Sequence, residues 1–293
     1  MRIHALATLG LLLFSCPFVR LTVVVVPVRP YHETIDLQYR SRFSIFCLMA
    51  SIRAFIEGLL KKADVSIGGS RPQGVTSKRV IVLSAFRKFG DYLANSTEIV
   101  AHRLHEKIVG DFIVHSVLFD ANITKENRGA TLFSIAHALN ANGIISLGMA
   151  SEKTGLCIER IATNKIHNLK YCPLNLNDTA IDTQRPYEEK ISLDLHPWNI
   201  EFFRKTCEEK DVPVMKDSED AGGFCCNHLA YQARVAQLGS SMWGKIPFIF
   251  IHTPCSPESV SDIGEFHAAG KITMPIEKIV QGVEILLSSA TPL

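Results

Sequence analysis

The chain has 293 residues, 47% of them hydrophobic and 20% charged, with a formal net charge of +2. These values fit an enzyme-sized globular domain and exclude disorder as the main state. Basic and acidic residues are mixed along the sequence, so the electrostatic footprint of a nucleic-acid binder is missing and no acidic partner is indicated.

Residues 5–28 are almost wholly apolar, interrupted by Pro17, Arg20 and Pro27 and preceded only by Arg2 and His4 as polar basic groups. Two readings stand. One is a signal peptide or membrane anchor, with membrane contact and a secreted or anchored location; the other is a presequence that adds nothing to the folded domain. Residues 38–62 are loosely helical, and GGSRPQGVTSK at 68–78 has the composition of a linker. Residues 1–78 therefore read as an N-terminal extension and 79–293 as a single domain.

Within that domain strands and helices alternate. Residues 80–83 form a short apolar run of strand type. Ser96 or Thr97 can cap a helix whose Val100, Leu104 and Ile108 recur every four residues. Residues 112–118 read as a strand, 131–139 as a helix stopped by Asn140 and Gly143, and 144–147 as the next strand. Strands at 157–162 and 212–215 flank a helix at 197–209 that opens with proline. Residues 227–238 are helical, 246–251 a continuous apolar strand, and 275–288 an amphipathic helix. This alternation predicts an α/β fold, a mostly parallel twisted sheet with helices on both faces.

In such sheets reactive groups gather at the carboxyl ends of strands, and three of these ends carry complementary chemistry. In AGGFCCNHLAYQA (221–233), two glycines permit a tight turn into a helix. A cysteine at that helix N-terminus meets unpaired N–H groups and the positive dipole end, which lower a thiol pKa. The plainer reading makes Cys225 and Cys226 small buried hydrophobes. His252 follows the apolar run of IPFIFIHTP and could take a thiol proton as general base; otherwise it is a satisfied histidine at a strand end. Glu159, in GLCIERIATN, sits in an apolar pattern where an unpaired carboxylate is costly. It needs a partner, which is either a histidine it orients or an arginine such as Arg160 or Arg103.

The eight cysteines lack both disulfide-scaffold spacing and paired C-x-x-C knuckles, and read as reduced thiols in a reducing compartment. Cys225, Cys226, His228 and His252 are all zinc-ligand types, but adjacent cysteines hold one tetrahedral ion awkwardly and nothing completes the set. No metal or other cofactor is expected.

Taken in order, four segments resemble the pyroglutamyl peptidase I (pyrrolidone carboxyl peptidase) family of cysteine peptidases over roughly residues 79–293. VLSAFRKFGDYLANST resembles the family's first strand and F-x-x-F-G loop, and ISLGMASEKTGLCIERIATN its glutamate-bearing strand pair. DAGGFCCNHLAY resembles its S-A-G-x-x-x-C-N nucleophile turn, and FIFIHTP its F-x-H-x-P strand. The resemblance implies Cys226 as nucleophile, His252 as base and Glu159 as orienting acid, with Cys225 at a position that is usually apolar. It also implies release of N-terminal pyroglutamyl residues from peptide substrates through a thioester. The ring would lie between Phe86 and Phe89, its amide edge against the backbone near Met149 and Phe224. The alternative is an inactive protein of the same fold that binds capped peptide N-termini.

The sequence departs from the family pattern at Ala85, Asp91 and Asp220, where glycine, glycine and serine are usual. An arginine that many prokaryotic members place near the oxyanion aligns with Leu169, next to Lys170; the NK at 164–165 and YCP at 171–173 are more similar to animal members. Asn95-Ser96-Thr97 is a glycosylation sequon beside the Phe89 loop. A glycan there would crowd the implied pocket, which favours a cytoplasmic chain.

Overall fold

The computed structural model describes residues 78–123, 126–167, 179–196 and 198–290. The chain divides into two units, 1–66 and 67–293, and all described residues belong to the second. The expected N-terminal extension, with its signal or anchor reading, and the Leu169 and Lys170 positions lie outside the described residues.

A six-stranded sheet has the order β2-β3-β1-β4-β8-β5. Its middle is parallel: β3 (Phe112–Phe119), β1 (Arg79–Phe86), β4 (Gly143–Met149) and β8 (Phe248–Thr253). The edges, β2 (Ile108–Val109) and β5 (Cys157–Ile158), are short and antiparallel. β6 (Ile161–Thr163) and β7 (Lys190–Ser192) form a separate antiparallel pair. The sheet is thus mostly parallel, as the alternating pattern predicts.

Strands buried on both faces feed two cores through the period-two alternation of side chains. Ile81, Leu83, Ile145, Leu147, Ile249 and Ile251 face one core. It is covered by α1 (Ser96–Leu104), α3 (Ile200–Glu209) and α6 (Ile276–Ser289). Val82, Phe86, Ile144, Phe248 and Phe250 face the other, covered by α2 (Arg128–Ala138) and α4 (Cys225–Leu238). A short helix, α5 (Ile263–Ala268), precedes α6. Each buried aliphatic or aromatic side chain contributes about 1.5–3 kcal/mol, so these layers hold the fold.

Several expected elements are corrected, each for a local reason. The cap of α1 is Asn95, not Ser96 or Thr97: its side chain accepts from the Thr97 N–H at 3.0 Å and the Thr97 hydroxyl at 2.8 Å. Ser96 instead donates to the Pro254 carbonyl at 2.9 Å. Ile108 does not continue the helix, because Glu106 at φ 60° turns the chain out and Ile108 enters β2. The run at 157–162 is broken. β5 pairs with β8, the Arg160 N–H turns to the Ser218 carbonyl at 2.7 Å, and β6 leaves to pair with β7. Residues 212–215 make only an isolated bridge, Val214 to Leu156, since Pro213 has no N–H to extend a ladder. β8 runs two residues later than expected, which puts His252 inside the strand. α2 and α4 begin earlier, at Arg128 and Cys225, and α3 begins later, behind an Asn199 cap.

α2 and α4 meet through Gly129, where an added Cβ would lie 2.2 Å from the Ala233 nitrogen and from the Gln232 carbonyl carbon. Both are backbone atoms, so relief requires the helices to part. Gly129→Ala is expected to lower unfolding stability by about 2–3 kcal/mol, read as a fall in the denaturant midpoint with an unchanged slope.

Candidate active site

His252 is presented by the register of three strands. In β4 its partner is Gly148, and in β5 it is Cys157. The Glu159 N–H bonds to the Phe250 carbonyl at 3.0 Å, which sets Glu159 diagonally across from His252 on the same face. The Glu159 Oε1 and His252 Nδ1 are 2.7 Å apart, with Glu159 fully buried and His252 5% exposed. The imidazole and the Phe250 ring meet at a steep angle, 70°, with centroids 5.2 Å apart.

Cys226 arrives from the other layer. Gly222 takes φ 83° and its N–H is held by Asp220 Oδ1 at 2.9 Å, so the departure at Asp220 is accommodated by a local turn bond. A Cβ on Gly223 would lie 2.7 Å from the His167 carbonyl oxygen, a close approach that glycine allows. The chain then enters α4 with Phe224 as N-cap and no side-chain cap. The first intrahelical bond is His228 N–H to the Phe224 carbonyl. The N–H groups of Cys225, Cys226 and Asn227 precede it, so Cys226 stands in the positive first turn of the helix.

Sulfur and imidazole meet over Gly148. A Cβ there would lie 2.7 Å from Cys226 Sγ and 3.1 Å from His252 Cδ2. Each group shifts the ionisation of the other, and since Nδ1 faces Glu159, Nε2 is the nitrogen left for the sulfur. The three groups named from sequence therefore converge.

Burial disfavours the charged imidazole, but attraction and hydrogen bonding from Cys226 and Glu159 outweigh it and push His252 up to about 10. The Cys226 thiol is raised by a hydrogen bond with Cys225 and by burial, and lowered by His252. The two directions oppose each other, because a charged imidazole promotes the thiolate that a raised thiol withholds. The raised imidazole is the firmer of the two, since the Glu159 carboxylate supports it whatever the charge on sulfur. His228 is pushed down to about 4 by burial and by Arg128, and so is a much weaker base than His252.

The arginine partners considered for Glu159 are engaged elsewhere. Arg160 pairs with Asp217 at 2.7 Å and Arg103 with Glu277 at 3.0 Å. Sequence reasoning missed Lys153, whose Nζ lies 3.6 Å from Glu159 Oε1. Only its place in the turn between two strands that both pair with β8 could have signalled it.

Of the residues implied for the pocket, Phe89 and Phe224 come together, ring centroids 6.3 Å apart, with Tyr92 5.2 Å from Phe89. Met149 is buried beside this aromatic group, packed with Cys255 and Val260. Phe86 is elsewhere: it is 1% exposed at the end of β1 and belongs to the core beneath α4. Among the described residues no three His, Cys, Asp or Glu side chains are grouped to hold a metal ion.

A parallel sheet that brings a thiol, an imidazole and a carboxylate together at its carboxyl edge places the chain among α/β cysteine hydrolases. The family model described as pyroglutamyl peptidase matches residues 78–292, and the chain belongs to that family of cysteine peptidases. It is 32% identical over 187 residues to a pyrrolidone-carboxylate peptidase of Oceanobacillus iheyensis, covering 60% of this chain and 84% of the relative. It is 27% identical over 216 residues to one from Bacillus cereus strain G9842, covering 73% and 93%. The fold matches the pyrrolidone carboxyl peptidase of Thermococcus litoralis with a TM-score of 0.60 at 21% identity, covering 72% and 93%. It matches pyroglutamyl peptidase I of Bacillus amyloliquefaciens with a TM-score of 0.58 at 20% identity, covering 73% and 95%.

A histidine raised on folding stabilises the native state fully below its free pKa of about 6.5 and loses that contribution as pH rises through its folded value of about 10. Denaturant midpoints are therefore expected to fall between these pH values, and the fall should flatten in Glu159→Gln, which removes the charge facing the imidazole.

Proposed function

We propose that the protein is a pyroglutamyl peptidase whose nucleophile is Cys226, with His252 as base and then acid and Glu159 as the group that orients His252. The observation that carries this reading is the Glu159–His252 hydrogen bond together with a sulfur at a helix N-terminus that meets the same imidazole over Gly148. It also favours catalysis over a binding-only role, which would need no such arrangement.

The thiolate attacks the acyl carbon that joins pyroglutamate to the next residue, and a carbon–sulfur bond forms as the carbonyl becomes an oxyanion. The N–H groups at the start of α4, that of Cys226 above all, are the donors for this charge. The oxyanion collapses, the C–N bond breaks, and the departing amine takes its proton from His252 Nε2. Water, deprotonated by His252, then adds to the thioester and releases pyroglutamate and the thiol. Glu159 holds the ring so that Nε2 faces sulfur throughout and balances the imidazolium.

Pyroglutamate has no free amine, and its lactam presents flat apolar faces. Phe89 and Phe224 flank the ring, Met149 floors it, and backbone at Met149 and Phe224 borders its amide edge. Phe86 contributes from below as core.

The working unit is the segment from about residue 79 onward, supported by the start of the family match at residue 78. A reducing, cytoplasmic setting is supported by five described cysteines that are all free and buried. It is supported too by Asn95, which is 0% exposed and so withheld from a glycan. No helix among the described residues is long and apolar enough to cross a membrane.

Purified protein is expected to release chromophore from a pyroglutamyl anilide. Cys226→Ala should lower kcat/KM by roughly 10³-fold or more, and Glu159→Gln by roughly 10²–10⁴-fold. Cys225→Ala should retain most activity, and because Cys225 raises the neighbouring thiol, its acid limb should move to lower pH. Equal losses from the two cysteine variants would refute the assignment.

A further inference from the structure

Lys153 lies in the turn that joins β4 to β5, the two strands that flank His252. The turn is fastened to β8, since the Ala150 N–H bonds to the Thr253 carbonyl at 2.9 Å and the Lys153 N–H to the Ala150 carbonyl at 3.1 Å. The lysine side chain is only 13% exposed, and its ammonium sits 3.6 Å from Glu159 Oε1, the same oxygen that meets His252 Nδ1 at 2.7 Å. The other oxygen, Oε2, is buried with no hydrogen-bond partner. One carboxylate oxygen thus serves two cations while the second is unsatisfied, an arrangement that desolvates Glu159 and leaves Lys153 as its one non-histidine counter-charge among the described ion pairs.

We propose that Lys153 is a positioning residue for the reaction, its ammonium sharing Glu159 Oε1 with the imidazole so that the buried thiolate–imidazolium–carboxylate series is electrically neutral in its working state. This rests on the catalytic roles proposed above. With Glu159 and the Cys226 thiolate negative and His252 and Lys153 positive, the four charges cancel. Without Lys153 the buried cluster carries one uncompensated negative charge, and every proton in it binds more tightly.

The other titratable groups facing the cluster leave this balance to Lys153. On α4 these are Cys225 and Cys226 itself, and on β5 Cys157, whose thiol is pushed up by burial and donates to the Lys216 carbonyl at 3.4 Å. Glu152 neighbours Lys153 in the turn and helps hold its ammonium charged. Asp217, which faces Cys157, is already paired with Arg160 and Arg204.

The test compares wild type, Lys153→Met and Lys153→Arg by two pH profiles: the rate of Cys226 alkylation with iodoacetamide, followed by mass spectrometry, and kcat/KM on a pyroglutamyl anilide. In Lys153→Met the acid limb of both profiles and the alkaline limb of kcat/KM are expected to move up by about one pH unit, with the loss in kcat rather than KM. Lys153→Arg should restore the wild-type limbs. Limbs that stay in place in Lys153→Met, however much activity is lost, would reduce Lys153 to packing and overturn the proposal. Should the methionine variant not fold, Lys153→Gln carries the same comparison. A wild type in which Cys226 has no thiolate limb overturns the catalytic reading and this one together, whereas a normal wild type with unmoved variants overturns only the role of Lys153.

Discussion

The site depends on one contact, the hydrogen bond between the Glu159 carboxylate and the His252 imidazole at 2.7 Å. A carboxylate with no exposure to water is several kcal/mol too costly to keep charged unless it is paired. The pairing cannot form from local sequence, because 93 residues separate the partners. It is delivered by two strands running in opposite directions at the edge of the sheet, β5 and β8. The parallel middle of the sheet fixes β8, the antiparallel edge brings Glu159 across from it just beyond β5, and the chain turns away from β8 at the next residue, Arg160.

The second requirement is space for sulfur on that face. Along β4 the residues toward α4 shrink as the strand approaches its carboxyl end: Ile144, then Ser146, whose hydroxyl meets that of Ser84 on β1 at 2.5 Å, and then Gly148. Any side chain at 148 would occupy the volume that the thiol and imidazole share. The close approach of α4 is in turn made by Gly129 on α2 and by the glycine turn at 222–223. Asn227 ties the same helix to β6, with its side chain bonded to Thr163 N–H and C=O at 2.8 Å each. Small residues and one amide thus aim the helix, and the helix aims Cys226.

Much of this was legible in the chain. Alternation of apolar runs and helical periods was enough for the α/β class because buried parallel strands are continuously hydrophobic. The pair Cys225 and Cys226, His252 and Glu159 stand out as reactive groups in an apolar or glycine-marked setting, and the family resemblance selects Cys226 from the pair. What escaped depended on three-dimensional neighbours. Asn95 was passed over as a cap for two hydroxyl residues that follow it, since competing caps differ only in which backbone N–H they reach. Phe86 and Phe89 look alike in sequence, yet strand geometry sends Phe86 into the core and the loop leaves Phe89 beside Phe224. Lys153 is an ordinary turn lysine until the sheet edge folds over it.

The buried amide of Asn95 has a consequence for where such a chain can mature. Besides holding Thr97, its nitrogen donates to the Arg87 carbonyl at 3.2 Å, closing the loop that carries Phe89. Oligosaccharide transfer attaches sugar to that same nitrogen, and a sugar cannot enter a space with no solvent exposure. Sugar addition at 95 and completion of this loop are therefore mutually exclusive. A copy decorated there during translocation would reach its destination with the Phe89 loop left open.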